Sequence, residues 1–179
     1  TFFVDTPVVS LLIIGIISLA IKLIFFDSEM PIRQDAHGYF WYAMDMSILN
    51  YFPSSAHAND GWSMALSGIF YIFNFNNYLD YTILQRITTI IISTLTIIPV
   101  YYLCKKFFQP SYSLVGAALF AFEPHLIQNS LLGITEPLYI ILVVSALSLF
   151  LSENKKLMYV SFGIIALSTL VRAEGIIIF

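Results

Sequence analysis

A chain of 179 residues that is 59% apolar, 16% aromatic and only 11% charged, with a mean hydropathy of +0.84, is no soluble globular domain. Such a domain carries about 25% charged residues. The aromatic content excludes disorder as well, because that much apolar surface does not stay in water. The net charge of −3 arises from 11 acids and 8 bases without a basic run, which excludes nucleic acid as a partner. The expectation is an all-α, polytopic transmembrane helix bundle.

In chain order, the apolar stretches long enough to cross a bilayer core of about 30 Å are 8–26, 83–104, 111–129, 132–151 and 157–171. The first lacks a small-residue cleavage site and is expected to stay as an anchor. Lys22, near its end, reads as a snorkelling residue. A sixth apolar stretch, 62–73, is shorter and runs into Asn74, Asn76 and Asn77. The pairs Lys105-Lys106 and Lys155-Lys156 mark two cytoplasmic loops. Both can be cytoplasmic only if 62–73 does not cross. The loop 27–82 then lies outside, in keeping with its five acids before residue 61 against one base, Arg33. Within that loop, 36–52 and 62–73 are expected as interfacial amphipathic helices, since aromatic rings favour the headgroup level. The chain starts at Thr1 and stops inside the apolar run ending at Phe179, so it reads as the N-terminal part of a longer transmembrane domain. Cys104 is the single cysteine, which excludes an internal disulfide and zinc-ligand spacing.

With this parity, Asp35, Arg86, Glu123, His125, Glu136, Arg172 and Glu174 collect at the outer face. Charges within or beside spans are costly and usually face a cavity or one another, so these groups predict a polar site at the outer surface. Asp35 follows the first span at the start of a helix, where a carboxylate caps amides or acts as a base. Glu136 precedes a proline at a helix opening, and Arg172 stands where a guanidinium can hold a phosphate.

Three segments taken together, Asp35-x-x-x-Tyr39, Asn129-Ser130 followed by Thr135-Glu136-Pro137-Leu138-Tyr139, and Arg172-Ala173-Glu174-Gly175, resemble the module of the C-superfamily membrane glycosyltransferases. The chain looks most similar to the branch of dolichyl-phosphate-mannose protein mannosyltransferases and the lipid A aminoarabinose transferase. The oligosaccharyltransferase catalytic subunit shares a related module. The resemblance covers most of the chain. It implies protein glycosylation or a related transfer, in which a sugar on a polyprenyl phosphate moves to a protein or glycan acceptor at the non-cytoplasmic face of the bilayer. It makes Asp35 the catalytic base, Glu136 the second catalytic acid and Arg172 the basic residue near the lipid phosphate, and Glu174, Arg86 and His37 are taken with Arg172 as the substrate-binding candidates. Two carboxylates can also bind a divalent cation, Mg or Mn, and Asp35, Glu136 and Glu123 are the candidate ligands. Protein mannosyltransferases usually have Asp-Glu where this chain has Asp35-Ala36. Competing readings are a transporter or flippase, which also places charges between helices, and a structural subunit of a membrane complex.

Overall fold

The computed structural model describes residues 7–32, 35–52, 60–73 and 75–178. Among them there is no strand. The helices are α1 (Pro7–Ile24), α2 (Asp35–Ser47), α3 (Gly61–Ile72), α4 (Tyr78–Leu95), α5 (Ile97–Cys104), α6 (Pro110–Ala121), α7 (Pro124–Leu131), α8 (Glu136–Phe150) and α9 (Lys155–Val171), closed by a 3₁₀ turn at Ala173–Ile177.

Two helical runs are long and apolar enough to cross a membrane, α1 and the combined run Tyr78–Cys104. The second is marked at Thr96, because Pro99 has no amide with which to reach the carbonyl of Leu95. The expected stretch 111–129 is not one helix. It breaks at Phe122, and Glu123 opens α7 by accepting a hydrogen bond from the Leu126 amide at 2.7 Å, with Pro124 in the first turn. The helix expected from 132 starts only at Glu136, since Gly133 adopts a φ of +77°. The helices α3, α6 and α8 are apolar but shorter than a full crossing.

The helix expected over 36–52 is α2, which stops at Ser47 and is followed by Asn50 at φ +50°. Its buried residues Ala36, Phe40, Ala43 and Met44 form one helical stripe, as do Trp62, Leu66 and Phe70 on α3. The two stripes close on each other and on Tyr81 of α4. Fully burying such a side chain contributes about 1.5–3 kcal/mol relative to exposure to water. So the buried stripes of α2 and α3 face protein, and α3 is apolar on its outer side too, with Met64, Tyr71 and Ile72 exposed. Elsewhere a second apolar cluster, Ile97, Tyr101, Ala117 and Ala121, is accompanied by buried small polar residues. Ser18, Ser93, Ser113, Ser161 and Ser168 are buried, whereas Leu12, Ile16 and Ile24 of α1 face outward. The Ser18 hydroxyl donates to the Ala121 carbonyl at 3.1 Å, tying α1 to α6.

Lys22 does not snorkel. It is 2% exposed, and its Nζ donates to Ser93 Oγ at 2.9 Å and, more weakly, to Thr94 Oγ1 at 3.4 Å. The hydroxyls on α4 offer acceptors within reach of its stem, so the side chain turns inward.

Candidate functional site

The elements meet at one end of the molecule around Gly133. Its positive φ turns the chain between α7 and α8 and presents a carbonyl that accepts from Trp62 Nε1 at 3.1 Å and Gln85 Nε2 at 2.7 Å. Gln85 also donates to the Ala36 carbonyl at 3.0 Å. One buried amide on α4 therefore fixes the start of α2, next to Asp35, against the turn that precedes Glu136. The start of α3 docks on the end of α9, so closely that a Cβ on Gly61 would lie 2.7 Å from the Leu170 carbonyl carbon and oxygen.

Through this scaffold the two carboxylates on either side of Arg172 become its partners. Arg172 Nη1 donates to Glu136 Oε1 at 2.8 Å, and Nη2 donates to Glu174 Oε1 at 3.0 Å. Glu136 and Arg172 are both half-buried, and Glu174 is exposed. The guanidinium also lies 5.8 Å from the centre of the Tyr139 ring. The hydrogen bond from Arg172 holds the Glu174 carboxyl below its usual range. The same bond and the neighbouring carboxylates raise Arg172 further.

Tyr39 links this ion pair to Asp35. It stands one helical turn after Asp35, hydrogen-bonds with Thr135, and lies within the fields of Asp35, Glu136 and Arg172. Burial, and then the Asp35 charge, push its hydroxyl above the ordinary tyrosine value. Asp35 itself is exposed at the start of α2. Asp35, Tyr39, Thr135, Glu136, Arg172 and Glu174 thus share one polar region, in which the side-chain contacts are those of Arg172 with Glu136 and Glu174 and of Thr135 with Tyr39 and Glu136. Three of its members are acids and one is a base. A nearby orphan, Asp60 Oδ1 at the opening of α3, is buried without a partner among the described residues.

The remaining expected residues go elsewhere. His37 is exposed, and its Nε2 accepts from Trp41 Nε1 at 3.0 Å. His125 is exposed on α7. Arg86 is buried, and donates from Nε to the Leu131 carbonyl and from Nη1 to those of Asp27 and Met30, which pins the segment after α1 to the end of α7. Glu123 spends one carboxylate oxygen on its helix cap. Among the described residues no three His, Cys, Asp or Glu side chains come together as a metal cage. Glu136 directs Oε1 to Arg172, and Glu123 directs an oxygen to the Leu126 amide.

Sequence reasoning passes over Gln85 and Gly133. Gln85 adjoins Arg86 on an apolar helix, and a buried amide of that kind needs partners. Its Oε1 has no partner among the described residues, while Nε2 makes both bonds.

No family model matches the chain, and neither a curated protein nor a solved structure matches it.

Proposed function

We propose that the chain is part of a C-superfamily membrane glycosyltransferase, which transfers a sugar from a polyprenyl phosphate to an acceptor hydroxyl at the non-cytoplasmic face. The observation that supports this most is the Arg172–Glu136 ion pair at the end of the helices where Gln85 also holds the start of α2, the helix that Asp35 opens. In the reaction, the acceptor oxygen attacks the anomeric carbon opposite the lipid phosphate and inverts it. The new bond is acceptor oxygen to carbon, the broken bond is carbon to phosphate oxygen, and the acceptor proton passes to Asp35. Arg172 meets the departing phosphate. Its bond to exposed Glu174 is the one that exchanges, while Glu136 keeps the guanidinium in place. Glu136 is a positioning acid here, and Thr135 Oγ1 donates to its Oε2 at 3.4 Å.

The membrane arrangement belongs to the same proposal: five crossings, with α2 and α3 outside. It is supported by the small polar residues buried between helices beneath a largely apolar exterior, a pattern of helices packed in lipid. It is supported too by the position of Lys106, which lines a cleft with Leu151 to Asn154, at the end of α8 away from Glu136.

The test is release of polyprenyl phosphate by the full-length protein in lipid nanodiscs supplied with a polyprenyl-phosphate sugar and an acceptor. Asp35→Asn should lower turnover by about 10²–10⁴ with donor affinity preserved. Near-normal turnover in that variant sinks the base assignment. Movement of the intact donor across the bilayer without cleavage would identify a flippase instead.

A further inference from the structure

The polar cluster leaves Arg86 unused, and its surroundings differ from those of Arg172. Its Nε and Nη1 bonds to the three carbonyls run from 2.6 to 3.0 Å, and Phe26 lies 4.5 Å below the guanidinium. Among the described residues no carboxylate pairs with it and Nη2 meets no acceptor. The acid whose field reaches it is Asp27, which turns Oδ1 to the Glu29 amide. Carbonyl dipoles solvate a cation without cancelling its charge, so a buried guanidinium held this way retains an attraction for an anion.

Arg86 forms part of the wall of a cleft of about 540 Å³ between the end of α1 and α7. The other walls are apolar, with Phe25, Met30, Ile127, Leu131 and Leu132 prominent, and Gln128 adds an amide. Phe25 is 67% exposed. A free phosphate would match the guanidinium and leave these walls bare, whereas a lipid supplies an anionic group and hydrocarbon together. The cleft lies where α1, a helix long and apolar enough to span, comes to its end, and in the proposed membrane arrangement that end is at headgroup depth.

We infer that this cleft binds an anionic bilayer phospholipid, its phosphate on Arg86 and Gln128 and its first methylenes against Phe25, Ile127 and Leu132. The site is separate from the acid cluster and rests on the membrane arrangement proposed above, not on the transfer chemistry. Gln85 and Arg86 are neighbours on α4, so the lipid would brace the helix whose amide fixes the Gly133 turn.

The experiment is native mass spectrometry of the full-length detergent-solubilised protein titrated with short-chain phosphatidylglycerol. Phosphatidylcholine of equal chain length, inorganic phosphate and polyprenyl phosphate serve as separate arms. One phosphatidylglycerol should bind, and Arg86→Gln should weaken it about tenfold or more. Because that variant also releases three carbonyls, Ile127→Trp provides a second route, filling the cleft while leaving Arg86 and its bonds intact. It should weaken the lipid to a similar degree with an unchanged melting temperature. The inference is overturned if Ile127→Trp binds phosphatidylglycerol as the native chain does. Equal binding of phosphatidylcholine or of inorganic phosphate would also overturn it, as would preference for polyprenyl phosphate over phosphatidylglycerol.

Discussion

Gly133 is the residue on which the site most depends, because two constraints act together there. Its φ is +77°, and a Cβ at this position would stand 3.2 Å from both Gln85 Cγ and Arg86 Cγ. Only glycine takes that conformation without a penalty, and alanine would meet both the backbone cost and the crowding. Gly133→Ala is therefore expected to destabilise by about 1–3 kcal/mol, read as a lower melting temperature in detergent. Tyr39 gives a prediction with a pH sign. Its folded value is raised, so the folded state holds the phenolic proton more tightly than the unfolded chain does. The resulting stability is complete below the unfolded tyrosine value of about 10 and is lost as pH rises through the folded one. Tyr39→Phe should remove that alkaline loss, so the gap between the two melting temperatures narrows or reverses above pH ~10. Parallel curves across that range would show that Tyr39 does not carry the effect.

At the scale of elements, helix ends decide where side chains meet. Gly61 sits against the Leu170 and Val171 backbone, which no side-chain rotation can move aside, so Gly61→Ala should pry α3 from α9. The expected outcome is a destabilisation of about 1–3 kcal/mol, with faster hydrogen exchange in the first turn of α3 as the reading. Glu123→Ala should cost α7 about 0.5–2 kcal/mol by removing its cap, seen as a lower melting temperature. Such ends mark the limit of what the residues disclose by themselves. The apolar runs announce α1 and the Tyr78–Cys104 run, because length and composition suffice there. They conceal the break at Glu123, where Phe120, Ala121 and Phe122 continue the apolar pattern up to the proline. Asp35, Glu136 and Arg172 stand out as charges beside apolar stretches. Gln85 does not, since its role comes from two carbonyls brought together by tertiary packing, 48 and 49 positions away. Lys22 passes for a snorkelling residue for the same reason: Ser93, its acceptor, lies 71 positions further on.

For the whole molecule, the arrangement of ends turns the membrane reading into a measurement. Arg86 joins the segment after α1 to the end of α7, and Glu136 joins the start of α8 to the residue after α9, so Asp27, Leu131, Glu136 and Arg172 belong to one end. Since α8 runs from Glu136 to Phe150 and α9 starts at Lys155, the lysine loop lies at the other. In a five-crossing protein these ends occupy opposite sides of the bilayer. If α3 crossed as well, every later helix would reverse, and Lys156 would appear on the same side as Glu29. Glu29 and Lys156 are both exposed and lie outside the site, so each tolerates replacement. In a Cys104→Ser background, Glu29→Cys should react with an impermeant maleimide in intact cells. Lys156→Cys should react only after permeabilisation. Labelling of both from outside would mean that α3 spans, and would place the acid cluster and the lysine loops under a different topology from the one proposed for transfer.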